Sequence, residues 1–362
     1  MELSTTRLLS IFLCCWIGVA WSDPASDHAQ YQWHLPPGFP PPLVPADNPM
    51  SDAKVALGCR LFFETRLSVT NTYSCASCHH PELAFTDGRA LAVGAKGDTI
   101  HRGAMTLTNV AYNPAFTWAS SSVTTLERQM EQPLFNEHPL EMGLKRDDRA
   151  LLEWFEQQEK YAAAFKQSFP QEAEPITMPN VLKAIASYER TLISGRSAFD
   201  RYVYDDDRAA FSAGARRGMK LFYSERSGCS HCHFGVNFSG SIAQRGKPRP
   251  RALFANNGSA VKADEGLYAQ TKQSQDRGRF RVPTLRNIAL TAPYMHDGRF
   301  ATLEDVIEHY VAGGRHAGSI GVVDSQIRPL ELSAEEKRDL VEFLKNLTDQ
   351  QFALPRTCDR VL

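Results

Sequence analysis

The chain has 362 residues, of which 43% are apolar and 22% charged, with a formal net charge of -1. That length suits roughly two domains of about 150 residues each, and the apolar share is that of an ordinary globular chain. Near-neutrality gives no reason to expect nucleic acid or a polyanionic partner, and a run such as Asp205–Asp207 reads as solvated surface.

At the N-terminus Arg7 precedes an apolar run from Leu8 to Ala20, and Ala20-Trp21-Ser22 then offers a cleavage site before Asp23. Residues 1–22 therefore read as a secretory signal peptide, too short for a spanning helix. Cys14 and Cys15 would leave with it. No second long apolar run follows, so an exported protein without stable membrane insertion is expected, periplasmic in a bacterium. Residues 23–44 contain Leu35-Pro-Pro-Gly-Phe-Pro-Pro-Pro-Leu43, a Pro-rich arm expected to run extended over the surface.

Next come two matching segments. Gly58-Cys-Arg-Leu61-Phe62-Phe63 precedes Cys75-Ala-Ser-Cys78-His79, and Gly218-Met-Lys-Leu221-Phe222-Tyr223 precedes Cys229-Ser-His-Cys232-His233. C-x-x-C-H is the attachment frame of c-type haem: two thiols bind the porphyrin vinyls and the adjacent His becomes the proximal ligand. A paired zinc site wants its C-x-x-C motifs about 15–20 residues apart, far closer than these two. A thioredoxin-like redox pair does not call for a following His twice. Two covalent haems are expected.

The repeat continues. Leu107-Thr-Asn109-Val110-Ala111 matches Leu285-Arg-Asn287-Ile288-Ala289, with Trp118 and His296 nine residues past each Asn. Thr125-Leu126-Glu127 likewise matches Thr302-Leu303-Glu304. The chain thus reads as all-α, with two cytochrome c-like haem domains over 45–195 and 196–362, related by internal duplication. Apolar spacing of three and four predicts helix in Asp147–Phe169 and Asn180–Ile193. No strand pattern stands out, and Gly235–Arg279 reads as a long irregular connection. Cys59 and Cys358 are left over; Cys59 sits in an apolar helical pattern, so a buried free thiol is the expected reading, with a disulfide as the alternative.

The segment Leu303-Glu-Asp-Val306-Ile307-Glu-His-Tyr310 repeats at helical spacing, with Thr302 as N-cap. Tyr310 points inward with Leu303, Val306 and Ile307, while His309 falls among acidic residues on the wetter side. In the first half the matching position is Pro133, which has no ligand atom. One haem then has His233 and Tyr310, and the other has His79 and an open face. Met295 is the rival ligand for the second iron, since Met/His ligation suits electron-transfer haems.

These frames, with NVAYN…W…TLERQ and PTLRN…APYMHDGRFATLE, resemble the bacterial dihaem cytochrome c peroxidase and MauG superfamily over nearly the whole mature chain. In the peroxidases a Met stands fourteen residues after the His of the HDG motif; in MauG it is Tyr, and here it is Tyr310. The segments WHLPPGFPPPLVPADNPMSDAKVALG and TWASSSVTTLERQMEQPLF resemble the MbnH branch. The resemblance implies that hydrogen peroxide forms a high-valent state shared by both haems. It further implies oxidation of Trp to kynurenine on a small exported copper-binding partner of the MbnP type. Reduction of peroxide with electrons from a small cytochrome or cupredoxin is the alternative. By the same resemblance Trp118 relays charge between haems, while Gln129, Pro133 and Glu141 form the distal pocket, with Glu141 as general base. The carbonyls of Thr291 and Pro293 would bind a calcium ion, but Gly103 stands where the family has an Asn ligand. Ser227 stands where MauG has its surface exit Trp, and His101 reads as a structural or solvent-facing residue rather than a distal His.

Overall fold

The computed structural model describes residues 31–314, 318–354 and 358; the expected signal peptide lies outside the described residues. The described residues begin within the arm, at Tyr31. The arm is extended as expected, but it is also anchored. Phe39 is buried against Tyr112, whose hydroxyl donates to the Pro40 carbonyl at 2.7 Å, and Pro42 bridges to Gln244.

Helices follow in chain order: α1 (Asp52–Phe62), α2 (Leu126–Phe135), α3 (Arg149–Gln157), α4 (Glu159–Ser168), α5 (Met178–Arg190), α6 (Ala198–Tyr204), α7 (Ala213–Phe222), α8 (Tyr268–Thr271), α9 (Leu303–Val311) and α10 (Ala334–Lys345). Most begin at a side-chain cap, Thr302 being the one expected from the sequence. Ser51, Thr125, Thr177, Ser212, Thr302 and Ser333 each accept a backbone N–H of the first turn, and Asp305 and Glu336 complete capping boxes. The helix expected over 147–169 is two, broken at Gln158, which leaves helical geometry and so redirects α4. The fold is mostly helical, yet not wholly so. Phe254–Ala255 (β1) and Phe280–Arg281 (β2) pair antiparallel within and just beyond the connection read as irregular.

Both halves repeat one set of contacts. Helix α1 packs on α5 and α7 on α10. At each crossing a glycine permits the approach: a Cβ on Gly58 would lie 1.9 Å from the Ala184 carbonyl oxygen, and one on Gly218 would lie 1.9 Å from that of Asp339. Asn109 and Asn287 both adopt left-handed backbone, φ 55° and 59°, which Asn tolerates better than most residues. Both are fully buried and both meet Ser194: Asn109 Nδ2 donates to its carbonyl at 2.9 Å and Asn287 Nδ2 to its hydroxyl at 3.0 Å.

The C-terminal tail crosses back to the first half. Asp349 Oδ2 accepts from Gly195 N and Arg196 N, and Phe352 enters the core of α1, α2 and α5 against Phe85. Beyond it Cys358 is joined to Cys59, whose Cα lies 5.5 Å away. The free-thiol reading of Cys59 is therefore corrected: its apolar surroundings are real, but they hold a disulfide spanning 299 residues. Replacing both cysteines with serine is expected to cost about 2–4 kcal/mol, seen as a lower urea midpoint for the haem-loaded protein.

Candidate haem centres

In the first half a short 3-10 turn, Cys75–Ser77, presents both thiols and delivers His79. His79 Nδ1 donates to the Phe85 carbonyl at 2.8 Å, and His233 Nδ1 to that of Phe238 at 2.8 Å. This fixes the same tautomer in both imidazoles and leaves each Nε2 lone pair free for a metal. Phe85 and Phe238 take positive φ to aim these carbonyls. Burial lowers the pKa of both imidazoles, and it raises those of all four thiols.

A cleft with about 1340 Å³ of empty space, partly open to solvent, lies over the first frame. Its walls bring together Cys75, Cys78, His79, Trp118, Gln129, Pro133 and Glu141. Every first-half site residue named from the sequence is therefore in one chamber. Gln129 and Pro133 come from α2, and Glu141 from the loop after it. Burial raises the Glu141 carboxyl to about 7, so it exchanges a proton near neutrality.

The chamber also holds groups that sequence reasoning missed. Arg281 is buried; its Nε donates to the Thr117 carbonyl at 3.2 Å, and burial pulls its pKa down to about 10. Glu189 and Asn113 line the same walls, each with a buried oxygen that has no partner among the described residues. Burial raises the Glu189 carboxyl to about 8. A buried guanidinium in the wall of this cleft fits a large ligand that carries carboxylates at its edge, as haem does. The one sequence signal was a charged residue, Glu189, on the helical face of Leu182, Ile185 and Ala186.

Trp118 is held by backbone from both halves. Its Nε1 donates to the Gly103 carbonyl at 3.0 Å, Gly103 N donates to the His296 carbonyl at 2.9 Å, and Arg281 N donates to the Trp118 carbonyl at 2.8 Å. His296 is buried and stacks on Phe280, with centroids 3.8 Å apart. Thr291 directly precedes the cis Ala292–Pro293 pair, and Gly103 has no side-chain oxygen to offer a cation. His101 is exposed, as expected, and Ser227 is buried with its hydroxyl on the Leu221 carbonyl at 2.6 Å.

In the second half Tyr310 points from α9 into the space above Cys229 and Cys232, close enough for both to raise its pKa. Burial is the larger cause, and the phenol stands at about 12. Asn257 Nδ2 donates to the Tyr310 hydroxyl at 3.3 Å and to Met295 Sδ at 3.2 Å. Both rival ligands named from the sequence thus face one amide. The placement of His309 is corrected. It is buried, not on the wet side, because the 256–258 loop covers that flank and the Asn257 carbonyl lies 2.9 Å from its Nε2.

The sequence profile of the family described as di-haem cytochrome c peroxidase matches residues 52–208. The chain is 35% identical over 310 residues to the methylamine utilization protein MauG of Methylorubrum extorquens, covering 86% of this chain and 82% of that protein. It is 31% identical over 306 residues to the cytochrome c551 peroxidase of Pseudomonas aeruginosa, covering 84% and 81%. The crystal structure of a MauG-like protein associated with microbial copper homeostasis superposes with a TM-score of 0.85 at 37% identity, over 90% of this chain and 97% of that one. With two haem-attachment frames, matched imidazole tautomers and these relatives, the chain belongs to the di-haem cytochrome c peroxidase and MauG family, haem-dependent oxidoreductases carrying two c-type haems.

Proposed function

We propose that the protein is a periplasmic MauG-type enzyme that uses hydrogen peroxide to oxidise a tryptophan, to kynurenine, on an exported copper-binding partner of the MbnP type. Its two haem units span residues 45–195 and 196–362. The observation that carries this reading is the inequality between matched helices: α2 presents Pro133 to an open chamber, whereas α9 presents the Tyr310 phenol. The likeness to a MauG-like protein associated with copper homeostasis supports the choice of partner.

Bound haem supplies iron that takes oxidising equivalents from peroxide. His79 Nε2 and His233 Nε2 would each hold one iron, and Tyr310 Oη would be the second protein donor to the iron on His233. Glu141 takes a proton from peroxide and returns it to the leaving oxygen, which a carboxyl balanced near pH 7 can do in both directions. Gln129 orients the peroxide, and Pro133 keeps the face open because its ring offers no donor atom. Trp118, tied through its indole to Gly103 of the first half and through its carbonyl to Arg281 of the second, is the bridge for charge between the two units. Gly103 removes the side-chain oxygen that a calcium site on Thr291 and Pro293 needs, so calcium is left out of this reading. Among the described residues no helix is long and apolar enough to cross a membrane.

Peroxide added to the diferric protein tests this directly. Spectral change at both haems, followed by an oxygen-dependent mass increase on the copper-binding partner, is expected. Inactivity until half-reduction by a small cytochrome or cupredoxin would instead identify a cytochrome c peroxidase. No response at all would leave a simple electron carrier.

A further inference from the structure

We infer that the Asn257 side-chain amide is the positioning group that makes Tyr310, rather than Met295, the donor facing the second haem iron. This rests on the reading of Tyr310 as that donor. An amide nitrogen carries two N–H groups, and here Nδ2 sits 3.2 Å from the Met295 sulfur and 3.3 Å from the Tyr310 hydroxyl. The amide cannot be flipped, because Oδ1 is already committed as acceptor of Ser259 N at 3.1 Å and Ser259 Oγ at 2.6 Å.

Nor can its loop drift. The Asn257 carbonyl lies 2.9 Å from His309 Nε2, one residue before Tyr310 on α9. Gly258 has φ +82°, and a Cβ there would fall 1.4 Å from the Gly314 carbonyl oxygen just past that helix. Met295 is itself held at φ 74°, in the left-handed region. Its backbone direction is thereby fixed, while its sulfur is turned toward the amide.

The same donor has opposite effects on the two rivals. An N–H directed at a phenolate oxygen is a charge-assisted bond that stabilises the anionic ligand and leaves its other lone pairs for a metal. An N–H directed at a thioether occupies a weak acceptor and draws the sulfur away from any competing bond. Removing the donor should therefore release Met295 and weaken Tyr310 together.

The test uses the ferric protein with both haems attached, read by the near-infrared thioether-to-iron band and by EPR. Wild type and Met295→Leu should lack the band. Asn257→Ala should gain it at least tenfold over background, and Asn257→Ala combined with Met295→Leu should lose it again. Asn257→Asp keeps the acceptor for Ser259, and so the loop, while deleting the donor; it should show the same gain. If both single Asn257 variants carry two haems and give the wild-type spectrum, the Asn257 assignment is overturned and the Tyr310 reading stands. A thioether band already present in wild type, or a Tyr310→Phe spectrum identical to wild type, would overturn the Tyr310 reading itself.

Discussion

Replacing Glu141 with Gln should slow the reaction of the diferric protein with peroxide by about 10²–10⁴, the usual contribution of a positioned acid–base group. Haem content and the ferric spectra should be unchanged, since Glu141 neither binds a haem thiol nor supports an imidazole. The pH profile distinguishes a base from mere packing. Burial holds the carboxyl at about 7, well above its ordinary range. Because the deprotonated form accepts the proton, the wild-type rate should rise as pH increases through about 7 and level off above it. In the Gln variant that rise should vanish, since the amide does not titrate. Stopped-flow rates from pH 5 to 9 check this, and a rise that persists in the variant would place the base elsewhere in the chamber.

Replacing Tyr310 with Phe should leave two haems on the protein, because attachment depends on Cys229, Cys232 and the His233 frame. What should disappear is the long-lived peroxide-oxidised form and, with it, oxidation of the partner. Axial ligands move haem potentials over roughly 0.8 V, and about 59 mV is a factor of ten for a one-electron couple. Losing an anionic donor thus needs to shift the second centre by only a small part of that range to cost more than about 100-fold. Rapid-scan absorption after peroxide addition, with mass spectrometry of the partner, reads both effects. An oxidised form that persists in the Phe variant would reassign the ligand.

The haem frames and the Thr302 cap of α9 were legible because each is set by spacing of a few residues. Thr302 caps α9 as its sequence suggests, while Tyr310 is half-buried and meets Asn257 instead of joining Leu303, Val306 and Ile307 in the core. His309 was misplaced for a reason the helix itself cannot reveal. Amphipathic spacing assumes water on the polar side, and here a loop some fifty residues earlier covers it. Cys59 was read as unpaired for the same kind of reason, since its partner lies at the far end of the chain. Asn257 and Arg281 sit in a segment without periodicity, so only the folded arrangement shows that one meets two ligands and the other enters the first chamber. Glu189 alone left a trace, as a carboxyl set in an apolar stripe.

The returning tail decides how the molecule may be divided. A fragment ended at residue 195 would lack Phe352, which fills the core beside Phe85, and would leave the α1 sulfur with nothing to join. The first half is consequently completed only after the helices of the second have been made, its closure waiting on Phe352 and on a cysteine 299 residues beyond Cys59.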